Sequence, residues 1–252
     1  MLSVEKLSAG YGKKPVLKDV DISAMPAGTI TAFLGQNGAG KSTLLRSLAG
    51  LHKAGGVLHL DGADITRQSP AERARAITYM PQSLPQRVAL TVLEATIGAL
   101  RASSRDPDAV KRSLAVLDRL GISNLAMAQL DSLSGGQRQL ASLAQALVRK
   151  PRVLLLDEPT SALDVAHQIR VMRTIREITE EQGIISIAVL HDLGLACRWC
   201  ERLVLLSGGR VVSDGEPEVA LTPDVLNQVY GVTGRIERCS RGQIQVLIDE
   251  VA

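Results

Sequence analysis

Aromatic residues are scarce in this chain, and their scarcity argues against one class of function. Phenylalanine, tryptophan and tyrosine make up 2% of the 252 residues. Proteins that bind single-stranded nucleic acid stack successive bases on aromatic side chains. The formal net charge is only +3, which falls short of the dense basic surface typical of nucleic-acid binders. We therefore expect no nucleic-acid partner.

Long apolar runs are also lacking. A membrane-spanning helix needs about 20 consecutive apolar residues, whereas the longest candidates, VLLL and IISIAVL, have the length of strands. Lys6 interrupts the segment in which a secretory signal would have its apolar region. The sequence thus predicts a cytoplasmic protein without a membrane segment of its own.

Cysteine is rare as well, with three residues in the chain. Cys197 and Cys200 have the C-x-x-C spacing of a redox or metal pair, but no second pair follows, which argues against a zinc site. We interpret both as small residues on a helix.

Strand and helix patterns alternate along the chain, which predicts an α/β fold. Strands are expected at 2–7, 29–34, 57–61, 77–80, 152–157 and 184–190. Helices are expected at 41–48, 165–182, from 193 onward and at 217–230. Hairpins are expected at 202–215 and around 239–242, and helical periodicity over about 90–150 predicts an inserted helical subdomain.

The stretch GQNGAGKS at 35–42 fits the phosphate-binding pattern G-x-x-x-x-G-K-[ST] at every position. A predicted strand precedes it and a predicted helix follows, which is the context that this pattern requires. In such loops the backbone N–H groups surround a phosphate, the lysine reaches the β- and γ-phosphates, and the hydroxyl binds Mg²⁺. The candidate nucleotide-binding residues are Gly35, Asn37, Gly38, Gly40, Lys41, Ser42 and Thr43.

Acidic residues follow the apolar run VLLL at the point where a buried strand should end. The carboxyl ends of parallel strands face the ligand, so Asp157 is placed to hold Mg²⁺ and Glu158 to orient or deprotonate a water. A second acid at this point favours hydrolysis over transfer to a bound acceptor. His191 ends the next buried strand, where it could bond the γ-phosphate or the attacking water, or serve only as a structural residue.

The stretch LSGGQRQ at 133–139 begins a predicted helix. Ser134 and Gln137 have the spacing of a capping box. A glycine pair, Gly135 and Gly136, costs backbone entropy at this place. The pair therefore predicts that something approaches the backbone of this helix closely.

Five motifs occur in the order GQNGAGKST, MPQ, LSGGQ, LLLDEPTSALD and HD. Together they resemble the nucleotide-binding subunit of an ATP-binding-cassette (ABC) transporter over almost the whole chain. The resemblance implies ATP hydrolysis with ATP and Mg²⁺. It also implies a P-loop NTPase core, a parallel sheet flanked by helices with an N-terminal antiparallel β part, plus an inserted all-helical subdomain. One domain, 1–252, would comprise a RecA-like core at 1–86 and 151–252 and a helical signature subdomain at 87–150.

The resemblance further implies a homodimer that forms head to tail around two ATP molecules. In that family the signature helix of one subunit caps the γ-phosphate held by the other subunit. The residues that match this surface are Ser134, Gly135, Gly136, Gln137 and Asp164, of which Asp164 could equally cap its own helix.

Four further roles are implied by position. Tyr11 resembles the aromatic residue that stacks on adenine, although a core tyrosine at a strand end is the alternative. Gln82 resembles the glutamine that contacts Mg²⁺ and links the site to the helical subdomain. Glu158 resembles the catalytic base, and His191 resembles the residue that senses the γ-phosphate.

Three segments, SLSGGQRQLASLAQAL, LHDLGLACRW and DGEPEVALTPDVLNQVYGV, resemble importers of iron–siderophore, haem and cobalamin complexes. Those importers work with membrane permease subunits and an external substrate-binding protein, which would place this chain at the cytoplasmic face of the inner or plasma membrane. The segment after Gln82 lacks the glycine–arginine–aromatic–proline stretch expected in that branch. A soluble non-transport cassette, such as one serving iron–sulfur assembly, and a motor for another substrate are the alternatives.

Overall fold

A computed structural model describes residues 1–82, 89–102 and 106–251. Its strands are β1 (Leu2–Tyr11), β2 (Lys14–Met25), β3 (Ile30–Leu34), β4 (Ala54–Leu60), β5 (Ala63–Asp64), β6 (Ile77–Met80), β7 (Val153–Asp157), β8 (Ile185–Val189), β9 (Arg202–Ser207), β10 (Arg210–Gly215), β11 (Val232–Arg238) and β12 (Ile244–Val251). Its helices are α1 (Lys41–Leu48), α2 (Pro70–Arg73), α3 (Val92–Arg101), α4 (Ala109–Arg119), α5 (Gly135–Leu147), α6 (Val165–Gln182), α7 (Leu193–Trp199), α8 (Pro217–Ala220) and α9 (Pro223–Tyr230).

The central sheet runs in the order β10-β9-β3-β8-β7-β6. Strands β9, β3, β8, β7 and β6 pair in parallel, and β10 is antiparallel at one edge. The carboxyl ends of the parallel strands therefore meet at one edge of the sheet. The segments that follow β3, β7, β8 and β6 contain the predicted site residues, so this topology brings them together.

Both faces of the central sheet are buried, which explains the continuous apolar runs of its strands. In β3, Ile30, Ala32 and Leu34 pack in one apolar cluster with helices α5 and α6, whereas Phe33 packs in the other cluster. That second cluster also contains β1, β2 and α1. Phe33, the only phenylalanine, has no exposed surface and fills the space between the central sheet and the N-terminal part.

A second sheet, with strand order β2-β1-β4-β5, is antiparallel throughout. The predicted antiparallel N-terminal part is thus confirmed, as is the α/β fold of the P-loop type. The sequence did not predict β2. Strands β1 and β4 extend beyond their predicted ranges where they pair with each other, Ser8 with Gly55 and Ala9 with Ala54.

Helices α3, α4 and α5 lie between β6 and β7 in the chain, as the helical periodicity predicts. The expected boundary at residues 86–87 lies outside the described residues. The single helix expected at 217–230 is two helices, α8 and α9, because Thr222 caps a new helix that starts with Pro223. The short helix α2 had no counterpart in the sequence reading. None of the helices within the described ranges is long and apolar enough to cross a membrane.

Candidate nucleotide site

The loop between β3 and α1 has a backbone that only glycine adopts easily. Gly35 has a φ of +138° and Gly40 a φ of +104°. A Cβ at Gly35 would lie 2.2 Å from the Leu206 carbonyl oxygen, and one at Gly40 would lie 2.7 Å from a Leu17 methyl group. The turn into α1 therefore depends on both residues, since neither the dihedral angles nor the space allows a side chain.

Lys41 reaches back over this loop. Its ammonium group donates hydrogen bonds to the carbonyl oxygens of Gly35, at 2.7 Å, and Gln36, at 3.0 Å. Burial lowers the pKa of Lys41, while the carboxylates of Glu158 and Asp157 act in the opposite direction. A phosphate bound in the loop would offer this ammonium group anionic partners in place of neutral carbonyl oxygens.

Asp157, at the end of β7, lies against the first turn of α1. The Ser42 hydroxyl donates to Asp157 Oδ1 at 2.9 Å, and the Tyr79 hydroxyl donates to Asp157 Oδ2 at 2.9 Å. The carboxylate is almost fully buried. A hydroxyl and a carboxylate at this distance form the oxygen-rich set that Mg²⁺ takes from proteins beside phosphates. The residues present therefore fit the ion.

Glu158 is held between side chains from two neighbouring strands. Gln82, after β6, donates to Glu158 Oε2 at 2.7 Å. His191, after β8, has its Nε2 atom 2.7 Å from Glu158 Oε1. The sequence placed Glu158 and His191 at one sheet edge, and the resemblance assigned Gln82 to the same site. In the structure Gln82 and His191 each contact the Glu158 carboxylate.

The backbone of Glu158 is itself unusual, with a φ of +54°. A non-glycine residue in the left-handed region is costly and persists only where its surroundings hold it. Gln139 of α5 does so, because its amide group donates to the Glu158 carbonyl oxygen and accepts from the Ala162 backbone N–H at 3.0 Å. Sequence reasoning missed Gln139. Burial of Gln139, which only the structure shows, is what distinguishes it from the other glutamines of α5.

Tyr11 lies at the mouth of a cavity of about 280 Å³. Its side chain is half exposed, so it is not the core tyrosine that the sequence left open. One side of its ring meets the His52 ring, with 4.5 Å between the centroids. The described residues that line this cavity are Tyr11, Val16, Asn37, Gly38, Gly40, Lys41, Ser42, Thr43 and Glu158.

Ser134 to Gln137 do not line this cavity. Ser134 and Gln137 form the predicted capping box at the start of α5, with the Gln137 N–H bonded to Ser134 Oγ at 3.3 Å. The two glycines differ in their surroundings. A Cβ at Gly136 would lie 2.9 Å from the Ala162 carbonyl oxygen of the same chain, whereas Gly135 faces open space. Gly135 therefore has open space beside its Cα, whereas Gly136 packs against the segment before α6.

Asp164 caps α6 as expected. Its carboxylate accepts from the His167 backbone N–H at 2.9 Å, and hydrogen bonds to the backbone and ring of His167 lower its pKa. The side chain is two-thirds exposed and remains open to contact with another molecule.

Tyr230, which the sequence did not single out, joins α9 to the phosphate-binding loop. Its hydroxyl lies beside the Gly35 backbone N–H, and burial raises the pKa of Tyr230 to about 12. The Gln36 amide donates to the Tyr230 carbonyl oxygen at 3.1 Å. Helix α9 therefore contacts the phosphate-binding loop through Tyr230.

The geometry of this sheet edge agrees with a family model, described as "ABC transporter", that matches residues 17–161. The chain is an ATP-binding cassette of the ABC transporter family. The matched range runs from β2 to the segment after Glu158 and includes the phosphate-binding loop and the signature helix. Members of this family bind and hydrolyse ATP, and the cassette is an ATPase.

Relatives of the cassette span nearly its full length. The ferric enterobactin transport ATP-binding protein FepC of Escherichia coli is 37% identical over 90% of this chain and 86% of its own. The hemin import ATP-binding protein HmuV of Jannaschia is 36% identical over 100% of this chain and 95% of its own. A dimeric ATP-binding cassette solved in a post-hydrolysis state with ADP and phosphate matches with a TM-score of 0.79 and 27% identity, over 86% of this chain and 99% of its own.

Proposed function

We propose that this cassette is the ATP-hydrolysing subunit of an importer that moves a metal complex, an iron–siderophore, haem or cobalamin, through a membrane permease. The observation that carries the ATPase part is the placement of Gln82, Glu158 and His191 at the sheet edge beside Lys41 and Ser42. The relatives named above support the import of iron complexes, because they serve enterobactin and hemin.

For hydrolysis we assign the base to Glu158. Its carboxylate is mostly buried and lines the same cavity as the phosphate-binding loop. The hydrogen bond from Gln82 and the contact with His191 orient the carboxylate, so an attacking water would meet a fixed acceptor. His191 is the less buried partner and is open to a γ-phosphate oxygen on its exposed side.

For nucleotide binding we assign Tyr11 to the base and the loop at 35–43 to the phosphates. The chemistry that Mg²⁺ supplies when bound is neutralisation of charge on the β- and γ-phosphates. Ser42, Asp157 and Gln82 would hold it. Lys41 would exchange its carbonyl partners for phosphate oxygens, and the loop N–H groups together with the N-terminus of α1 would bind the same anion.

We further propose that two cassettes form a head-to-tail dimer around two ATP molecules. Two observations support it: the signature residues lie outside the cavity of their own chain, and Gly135 faces open space. A helix N-terminus attracts anions, so α5 of one cassette would cap the γ-phosphate held by its partner. Asp164 would meet the partner across the same interface.

We propose that the chain divides into a core at 1–86 and 151–252 and a helical subdomain at 87–150. The permease would contact this helical subdomain. Several large apolar side chains are exposed there, and side chains of this kind mark a protein-binding surface where they form a contiguous patch. They are Leu90, Val110, Leu114 and Met127. An external substrate-binding protein and a position at the cytoplasmic face of the membrane belong to the same proposal.

The test is a pull-down of the tagged cassette from detergent-solubilised native membranes, with partners identified by mass spectrometry. Recovery of a multi-spanning permease in one-to-one ratio is expected. Transport of radiolabelled iron–siderophore, haem and cobalamin into vesicles that contain both proteins then assigns the substrate. Recovery of soluble partners alone would favour a non-transport cassette with the same ATP chemistry.

A further inference from the structure

Helix α1 brings two functional side chains to one face. Ser42 and Arg46 are four residues apart, so they lie one turn from each other on the helix surface. Ser42 bonds to Asp157 directly. Arg46 reaches the same carboxylate through Tyr79, because Arg46 Nε donates to the Tyr79 hydroxyl at 3.3 Å and this hydroxyl donates to Asp157 Oδ2 at 2.9 Å.

Arg46 is connected in the other direction to Tyr11. The Arg46 backbone carbonyl oxygen accepts a hydrogen bond from the His52 backbone N–H at 3.2 Å. The His52 ring lies against the Tyr11 ring, and His52 Nε2 lies 3.1 Å from the Gly10 carbonyl oxygen. The Tyr11 hydroxyl lies close enough to the Arg46 guanidinium group to contribute, after Tyr79, to the raised pKa of Arg46. Arg46 therefore lies between Tyr11, which lines the cavity, and Tyr79, which bonds to Asp157.

The direction of these hydrogen bonds is fixed by charge. A tyrosine hydroxyl carries its proton near neutral pH, and the Tyr79 hydroxyl donates it to the Asp157 carboxylate at 2.9 Å. The hydrogen bond with Tyr79, and after it the nearby Tyr11 hydroxyl, raise the pKa of Arg46, which stays cationic. Donation runs from Arg46 to Tyr79 and from Tyr79 to the carboxylate, which leaves the carboxylate in one orientation.

We propose that Arg46 and Tyr79 are positioning residues that couple the base-binding side of the cavity, at Tyr11, to the metal-binding carboxylate of Asp157. This inference rests on the roles proposed above for Tyr11 and Asp157. A base that stacks on Tyr11 restrains Tyr11 and His52, and through Arg46 it restrains Tyr79. The carboxylate is then already oriented when Mg²⁺ arrives, and by thermodynamic reciprocity Mg²⁺ strengthens binding of the base.

The test compares a ligand that carries the base with one that lacks it. ADP and inorganic pyrophosphate are titrated by competition against a fluorescent ADP analogue, each in Mg²⁺ and in EDTA. ADP avoids hydrolysis during the measurement. The preference for ADP is the Kd of pyrophosphate divided by the Kd of ADP. The coupling factor is this preference in Mg²⁺ divided by the same preference in EDTA. We expect at least about five for the unaltered cassette, the lower end of usual coupling between sites.

Two variants interrupt the connection without removing a direct ligand. Tyr79→Phe keeps the ring and removes the hydroxyl, and Arg46→Met keeps the length of the side chain and removes the donors. Each is expected to bring the coupling factor close to one, and Arg46→Lys to restore part of it. Tyr230→Phe is the matched control, because its hydroxyl lies beside Gly35 but has no part in the connection. It should weaken both ligands equally and leave the factor intact.

The outcomes separate this proposal from the one on which it rests. A factor that persists in Tyr79→Phe and Arg46→Met assigns both residues a merely structural role and overturns the coupling. A factor of one in the unaltered cassette does the same. If Tyr11→Ala leaves the preference for ADP over pyrophosphate unchanged, the role of Tyr11 as the base platform is wrong, and both proposals fail together.

Discussion

His191 Nε2 lies 2.7 Å from Glu158 Oε1, although 33 positions separate the two residues in the chain. They meet because β7 and β8 are adjacent parallel strands, paired from Val153 with Ile185 to Asp157 with Val189. Each residue follows its strand at the same sheet edge. The contact between a carboxylate and an imidazole at this place underlies the assignment of Glu158 as the base.

Replacing Glu158 by glutamine keeps the size of the side chain and removes its basicity. We expect ATP binding to persist and steady-state hydrolysis to fall by about 10²- to 10⁴-fold, the usual contribution of a general base. An ATP-dependent dimer should become long-lived on size-exclusion chromatography. Glu180→Gln, a change of an exposed glutamate on α6, is the control. Hydrolysis at the unaltered rate in Glu158→Gln would remove this residue as the base.

Ser134→Arg places a long side chain at the start of α5, which is outside the cavity of its own chain. We expect ADP affinity of the single cassette to change by less than about two-fold, because Ser134 does not line the cavity, while loss of the Ser134 cap lowers the stability of the fold by about 1 kcal/mol. The ATP-dependent dimer should disappear in analytical ultracentrifugation.

The control for this variant is Ser123→Arg, at an exposed position in the turn after α4. It should dimerise as the unaltered cassette does. Dimerisation of Ser134→Arg at the same ATP concentration would refute the cap in trans.

Gln139→Leu removes the amide group that joins α5 to the Glu158 carbonyl oxygen and to the Ala162 N–H. The strained backbone of Glu158 would lose one of its restraints and the carboxylate would shift. Since a misplacement of about 1 Å costs up to about 10²-fold in rate, we expect kcat to fall by about ten-fold or more. ADP affinity should hold, because Gln139 does not line the nucleotide cavity.

Gln145→Leu is the matched control for this change. Gln145 lies on the same helix, and its amide donates to the Ala141 carbonyl oxygen one turn earlier. It should retain kcat. Equal loss of kcat in both variants would mean that α5 is merely destabilised.

The reactivity of the cysteines tests their interpretation as structural residues without a redox or metal-binding role. Burial raises the pKa of Cys197 to about 11 and raises that of Cys200 further. Cys197 then has about 100-fold less thiolate than an ordinary cysteine at pH 8, and the thiolate is the reactive form. A thiol reagent should therefore label Cys239 first, and Cys239→Ser should remove the fast phase. Rapid oxidation of Cys197 and Cys200 to a disulfide would contradict their interpretation as structural residues.

Much of the architecture follows from local pattern alone. The apolar run before Asp157 and the one before His191 have the length of buried strands. Asp164 and Gly183 mark the two ends of α6 with residues that cap helices. The exceptions have clear causes. Strand β2 has polar residues on its open side, and the break between α8 and α9 depends on the cap supplied by Thr222. Local composition is a weak guide to an exposed edge strand and to the exact residue at which one helix ends and the next begins.

The motifs by themselves determined the chemistry. Short stretches of sequence are enough to identify a phosphate-binding loop, two acids after a buried strand and a glycine-rich helix start. The tertiary structure alone decided which groups meet. Gln139 against the Glu158 backbone, Tyr230 against Gly35, and Arg46 between Tyr11 and Tyr79 join residues distant in the chain. Such contacts depend on strand order and side-chain direction, which arise only when the two apolar clusters pack on either side of the sheet.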